Sequence, residues 1–435
     1  MCTDDSPLKH GSSSPLCSKA ASLPWDIFAS IIENADVAAL RTLSLVCRDL
    51  FIGSAPALYR CFSASVKLAD DSLVSTPLSI QLQTRALRNH SHPHLIKHVH
   101  VTLAQEMTEC EDSSPQLLDH LVSLFYAIST VKKLEVLELD LGAAHAIAIG
   151  CLRSIPLPAS LQDLRIRSND PLLISLGSDF WARHRSGLRT LSVIAPPGPS
   201  SQDRPSMMEG FVSLTHLHLG KISLLRHIAL PPSLRSLVID SISNSEIEAL
   251  LQSLNSTTNT YTHQSPFFLP VPQRAPTSPR ASAASYLEAI DIGFSGDDPL
   301  ALYSAIIRRL PQLKKLRVRH GLFSSPEMCI AACNVLCSMP HLQVVEWELE
   351  SSAEPSSASG IISRGAHLSN YSFDACYPHG PLHLVPELLA PSRSLRKIAV
   401  SGKHPCPDAA LPTEPAPTRF VLQRSEPSSS WTITQ

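Results

Sequence analysis

A pattern of three apolar residues, spaced three and then two apart, returns eleven times along the chain and constrains the fold more than any other feature. The copies begin at Ile96, Leu134, Leu161, Leu188, Leu214, Leu234, Leu287, Leu313, Leu342, Leu368 and Leu395, and Leu134-Leu137-Leu139 is representative. Residues two apart share one side of a strand, so each copy predicts a short strand with one apolar side. From Leu134 the steps are 27, 27, 26, 20, 53, 26, 29, 26 and 27 residues, and 53 is close to two periods. A fixed step of this length means units that cannot bury their apolar side alone and do so against their neighbours.

The step and the triplet resemble a leucine-rich repeat. The resemblance implies an α/β array in which each unit gives one strand of a parallel concave sheet and a helix or irregular return on the outside. An Asn usually follows the triplet in that family. Here only Asn169 does, while Gly142, Pro196, Ile222 and Gly321 stand elsewhere, so irregular returns are expected. Helical spacing of apolar residues after a Pro predicts outer helices over Pro115–Ser129, Pro299–Leu310 and Pro326–Cys337, with a weaker one over Ser245–Leu254.

A second dense apolar stretch lies from Leu23 to Tyr59. Ser22 and Pro24 suit the start of one helix carrying Ile27, Phe28, Ile31 and Ile32. Asp36 suits the cap of a second with Leu40, Leu43, Val46, Cys47 and Leu50, and Gly53 is expected to stop it before Pro56 opens a third. So short a unit has more apolar surface than it can hide. Leu23-Pro24, Ile31-Ile32, Leu45-Val46-Cys47-Arg48 and Pro56-Ala57-Leu58-Tyr59-Arg60 resemble an F-box, with Tyr59 where Trp is more common and Asp26 where Glu is usual. The resemblance implies docking to a Skp-type adaptor that hangs from a cullin in a ubiquitin ligase. It places that contact on Leu23, Pro24, Ile27, Ile31, Ile32, Leu45, Val46, Cys47, Leu58 and Tyr59.

Lys plus Arg is 36 against 38 for Asp plus Glu, a formal charge of -2, so there is no global field to draw the chain onto nucleic acid or an acidic membrane. No apolar run approaches the roughly 20 residues that span a bilayer, and residues 1–21 lack the apolar core of a signal peptide. The 11 cysteines are scattered without a CxxC pair, as in a reduced cytoplasmic or nuclear protein.

Five histidines between His90 and His100 invite a metal reading, yet no Cys pair accompanies them, and His98 and His100 alternate with core residues as solvent-facing positions do. Cys329, Cys333 and Cys337 share one helix face, as core residues would. No phosphate-binding Gly loop, GxSxG elbow or HExxH helix occurs, so neither a cofactor nor catalysis is expected. Among residues interleaving the triplets, Glu138 and Asp140 precede Arg165 and Arg167, and Arg317 and Arg319 precede Glu346 and Glu348. These charges are either a receptor for a partner or pairs between adjacent strands. If they pair, His216 and His218 mark the less paired surface left for a target protein.

The expected organisation is a disordered leader (1–21), an F-box (22–62), a connector (63–94) and a repeat array (95–402) with a disordered Pro- and Ser-rich insertion (255–285). A mostly disordered tail (403–435) follows, in which Phe420-Val421-Leu422 can form a last strand. The expected function is substrate recognition in a Skp-cullin-F-box ligase, with an unknown target protein on the repeats. The alternative is a leucine-rich scaffold that binds an adaptor without ubiquitin transfer.

Overall fold

The computed structural model describes residues 25–46, 48–68, 75–90, 93–105, 115–141, 145–168, 178–195, 211–227, 230–255, 286–296, 298–321, 326–350, 392–403, 417–425 and 432–434. The expected leader, Ser22, Leu23, Pro24, Cys47, Asn169, almost all of the insertion and the triplet at Leu368 lie outside them. The chain is mixed α/β and forms two compact units, one of Met1–Leu139 with Leu157–Leu161, the other of Asp140–Pro156 with Gln162–Gln435.

The smaller unit opens with three short helices, α1 (Trp25–Asn34), α2 (Val37–Val46) and α3 (Arg48–Leu58). Asp36 caps α2 as expected, its Oδ1 accepting from the Ala39 N–H at 2.7 Å. Gly53 does not stop a helix. It lies within α3 together with Pro56. Ile32, Leu40 and Leu50 form the core of the three helices, with Leu43, Ala57 and Leu58 packed around it.

Strand β1 (Cys61–Leu68) then pairs in parallel with β2 (His98–Gln105), Phe62 opposite Val99 and Ala64 opposite Val101. The expected boundary between residues 62 and 63 thus cuts a strand. The signal was there: Phe62, Ala64, Val66 and Leu68 alternate with Ser63, Ser65 and Lys67. Between β1 and β2 runs α4 (Ser75–Arg88), and α5 (Pro115–Ser129) packs beside it before β3 (Val136–Asp140).

The larger unit has β4 (Asp163–Arg167), β5 (Thr190–Ile194), β6 (His216–Lys221), β7 (Ser236–Ile242), β8 (Ala289–Phe294), β9 (Lys315–Gly321), β10 (Val344–Glu350) and β11 (Lys397–Lys403), all parallel and in sequence order. The register aligns the middle triplet residues in one row: Leu164, Leu191, Leu217, Leu237, Ile290, Leu316, Val345 and Ile398. Every described triplet residue of both units is at most 5% exposed, and each such side chain stabilises the fold by about 1.5 to 3 kcal/mol. The strand starts are linked as well. The residue after the first Leu of one copy donates its N–H to the equivalent carbonyl of the preceding copy, as in Arg235 to Thr215, Glu288 to Arg235, Lys314 to Glu288 and Gln343 to Lys314, at 2.8 to 2.9 Å.

Helices α6 (His145–Ser154) and α7 (Ser178–His184) occupy returns expected to be irregular, while α8 (Ile247–Asn255), α9 (Pro299–Arg309) and α10 (Pro326–Cys337) match the expected ones. Asp298 caps α9 through the N–H groups of Leu300 and Ala301, with Pro299 in the first turn. Two findings correct the count of strands. β10 pairs directly with β11, so the copy at Leu368 supplies no strand between them. The expected tail instead gives β12 (Pro417–Gln423), antiparallel to β11, and β13 (Thr432–Thr434), antiparallel to β12. Arg424 fixes this reversal: its Nε donates to the Leu395 carbonyl at 2.6 Å and its Nη2 to that of Ser392.

Candidate functional site

Two surfaces carry the residues singled out in the sequence. The first is on the three helices. Burying Ile32 with Leu40 and Leu50 turns the opposite side of α1 outward, and Ile27 and Ile31, four residues apart, are 49% and 45% exposed. Leu45 and Val46 at the end of α2 are 86% and 41% exposed, and Ile52 on α3 is 56% exposed. Large apolar side chains held in water at this density mark contact surfaces. Ile32 is a correction to the expected contact set, because it is core. Leu58 is packed against that core, and Tyr59 is half-buried with its ring edge-on to His90 at 5.2 Å. Sequence reasoning missed Ile52, since reading Gly53 as a stop removed the helical frame in which Ile52 lies opposite Leu50 and Ser54.

The second surface is the side of the β4–β11 sheet that bears the interleaved residues. There a chain of polar contacts crosses from β5 to β10. The Ser192 hydroxyl lies 3.0 Å from His218 Nδ1, and His218 Nε2 lies 2.9 Å from Asp240 Oδ1. A neutral imidazole protonated at Nε2 satisfies both contacts, accepting from Ser192 and donating to Asp240. Arg319 Nη2 reaches Asp240 Oδ1 and the Ile239 carbonyl at 3.3 Å each, and its Nε lies 3.3 Å from Asp291 Oδ1 without a hydrogen bond between them. Arg317 joins Asp291 Oδ2 at 3.3 Å to Glu348 Oε2 at 2.8 Å. Burial raises the pKa of the Asp291 carboxyl, against the pull of Arg319 and Arg317.

Backbone geometry makes this chain of contacts possible. The β7–β8 register shifts between Ile239 and Ile242, and a Cβ on Gly293 would lie 1.7 Å from the Asp240 carbonyl oxygen. Glycine is therefore required where β7 leans over β8 and Arg319, opposite Gly293, reaches across to β7.

The expected register holds, Arg317 opposite Glu346 and Arg319 opposite Glu348, but the ion pairs run diagonally. Arg317 goes to Glu348, while Glu346 is held by Lys315 at 3.5 Å and Lys397 at 4.0 Å. The guanidiniums lean toward Asp291 and Asp240, which the sequence pattern did not bring into the set. Glu138 lies 3.6 Å from His98, and Arg165 is bidentate to Asp163 on its own strand. His218 is thus part of the paired surface, contrary to expectation. His216 is exposed, its Nδ1 2.8 Å from the Thr215 hydroxyl, and Arg167 is exposed with no ion pair among the described residues.

Ser192, His218 and Asp240 are residue types used for acyl transfer, but that chemistry also needs donors for an oxyanion. Ser192 sits in mid-strand, paired on both sides with β4 and β6, so its backbone is committed to the sheet. The arrangement is suited to holding a polar surface in shape. Among the described residues no group of three or more His, Cys, Asp or Glu could hold a metal ion, and no helix is long and apolar enough to cross a membrane. Neither the models of known protein families nor the curated proteins include a match to this chain.

Proposed function

We propose that this chain is the substrate-recognition subunit of a Skp-cullin-F-box ubiquitin ligase. The observation that carries the reading is the exposure of Ile27, Ile31, Leu45 and Val46 on a three-helix unit whose sequence resembles an F-box. A Skp-type adaptor covers these side chains and links the chain to a cullin. The strands hold a target protein, and the part of the sheet around Arg167 and His216 suits it, because Arg167 has no ion pair among the described residues whereas the charges from Asp240 to Glu348 are paired. The chain makes no bond itself. Tethering raises the effective concentration of the target's lysines near a ubiquitin-loaded enzyme on another subunit.

The test is capture of a Skp-type adaptor and a cullin by the tagged full chain. Ile31→Asp and Leu45→Asp alter side chains outside the core. Each should reduce capture about tenfold or more, since a buried apolar side chain contributes about 1.5 to 3 kcal/mol. Val212→Asp, at an exposed apolar position of the other unit, should leave capture unchanged. Undiminished capture by both variants, with melting curves like the parent, would falsify the docking role.

A further inference from the structure

Outside both surfaces, a groove of about 400 Å³ lies between α4 and α5 in the smaller unit. Thr84, Arg85 and Arg88 line it from α4, and His120 and Ser123 from α5. Its floor holds an unusual group. Thr84 is 6% exposed, and its hydroxyl has no hydrogen-bond partner among the described residues, although a helical Thr ordinarily bonds back to the preceding turn. A buried hydroxyl left unpaired costs about 1 to 3 kcal/mol.

The rim is rich in donors. The Arg85 guanidinium makes no hydrogen bond or ion pair among the described residues, and that of Arg88 donates only a long 3.4 Å bond to the Ser123 carbonyl and lies 6.0 Å from the Tyr126 ring centre. Gln81 Nε2 lies 3.2 Å from His120 Nε2, and none of the described lining residues is Asp or Glu. Two arginines in the last turn suit the negative end of a helix. That accounts for their sign, but not for the groove beside them or the unpaired hydroxyl beneath, and like charges at this spacing repel until an anion lies between them.

We propose that this groove binds a phosphate monoester dianion, clasped by the Arg85 and Arg88 guanidiniums with the Thr84 hydroxyl donating to a phosphoryl oxygen. The guanidinium fork matches two phosphoryl oxygens, and the dianion supplies the acceptors the site lacks. The same chemistry is offered by a phosphorylated side chain and by a small organic phosphate.

The experiment is calorimetric titration of the full chain, at fixed ionic strength, with inorganic phosphate, phenyl phosphate, a phosphoserine peptide, its unphosphorylated form and benzoate. Saturable binding of the phosphates alone is expected. Arg85→Glu should weaken it about tenfold or more. Thr84→Val, close in shape, should weaken it severalfold while raising the melting temperature of the free chain, because the unpaired hydroxyl is gone. The phosphoserine peptide binding well above inorganic phosphate would identify a phosphorylated protein as the source, and equal binding of the phosphates a small ligand. Absence of saturable phosphate binding, equal binding of benzoate, or unchanged affinity in Arg85→Glu would overturn the assignment.

Discussion

His184 is the residue whose surroundings most alter its chemistry. It closes α7 at 7% exposure, lies tilted against the Phe180 ring at 5.1 Å between centroids, and its Nε2 has no hydrogen-bond partner among the described residues. Burial, and then the charge of Arg183, lower its pKa to about 4. The unfolded chain, with an ordinary imidazole near 6.5, takes the proton more readily than the folded one. Stability from this group is therefore present above about pH 6.5 and is lost as pH falls from there toward 4. Between pH 7 and 4.5 the parent should lose on the order of 2 to 3 kcal/mol more than His184→Leu, measured by denaturant unfolding. An equal loss in both chains would show that carboxylates alone set the acid sensitivity. At this scale the sequence told which residues are buried, because the triplets fix parity: Val99 and Val101 are fully buried while His98 and His100 are half-exposed, and Cys329 and Cys333 sit in the core as their shared helix face implied. It did not tell what His218 pairs with. That contact is diagonal, from His218 opposite Val238 to Asp240 two residues further along β7, and aligned triplets do not tell which interleaved neighbour a side chain selects.

Among elements, the register was legible and the ion pairs were not. Aligning triplets sets which residues stand opposite each other, but long guanidiniums select among carboxylates placed opposite or diagonally on adjacent strands, and for Arg319 two strands away. A double-mutant cycle separates the two levels. Arg317 with Glu348 should show a coupling of about 0.2 to 1 kcal/mol, as expected of partly exposed pairs, and Arg317 with Glu346, though opposite in register, a smaller one. A larger coupling to Glu346 would reverse the diagonal assignment. Gly293 and Gly150 make a second contrast. Gly293→Ala drives a Cβ into a backbone oxygen that cannot rotate away and should cost about 2 to 4 kcal/mol. Gly150→Ala, on α6 with nothing within 4 Å of the added atom, should gain up to about 1 kcal/mol. Equal effects of the two substitutions would mean that the lean of β7 over β8 does not persist in solution.

For the whole molecule, the repeat was readable wherever the step was regular, and misleading once. From Leu234 to Leu287 the step is 53 residues, and from Leu342 to Leu395 it is again 53, with the triplet at Leu368 in between. In both places the flanking strands pair directly, β7 with β8 and β10 with β11. A triplet is therefore not sufficient for a place in the sheet, since spacing alone cannot say which neighbour a strand will find. Replacing residues 256–285 by a few Gly and Ser should leave the melting temperature nearly unchanged, because no strand stands between β7 and β8 and loop closure depends weakly on length. A fall of many degrees would assign that segment a share of the core.

The reversal at β12 has a consequence for solubility. Every step from β4 to β11 adds a strand in the same direction, and a bare β11 would be a template for the same segment of another copy, and so on without closure. β12 occupies that position with the opposite polarity, Arg424 locks it, and β13 adds only Thr432–Thr434 beyond. Removing residues 417–435 should turn a well-behaved particle into one whose sedimentation grows with concentration, well before its helices melt.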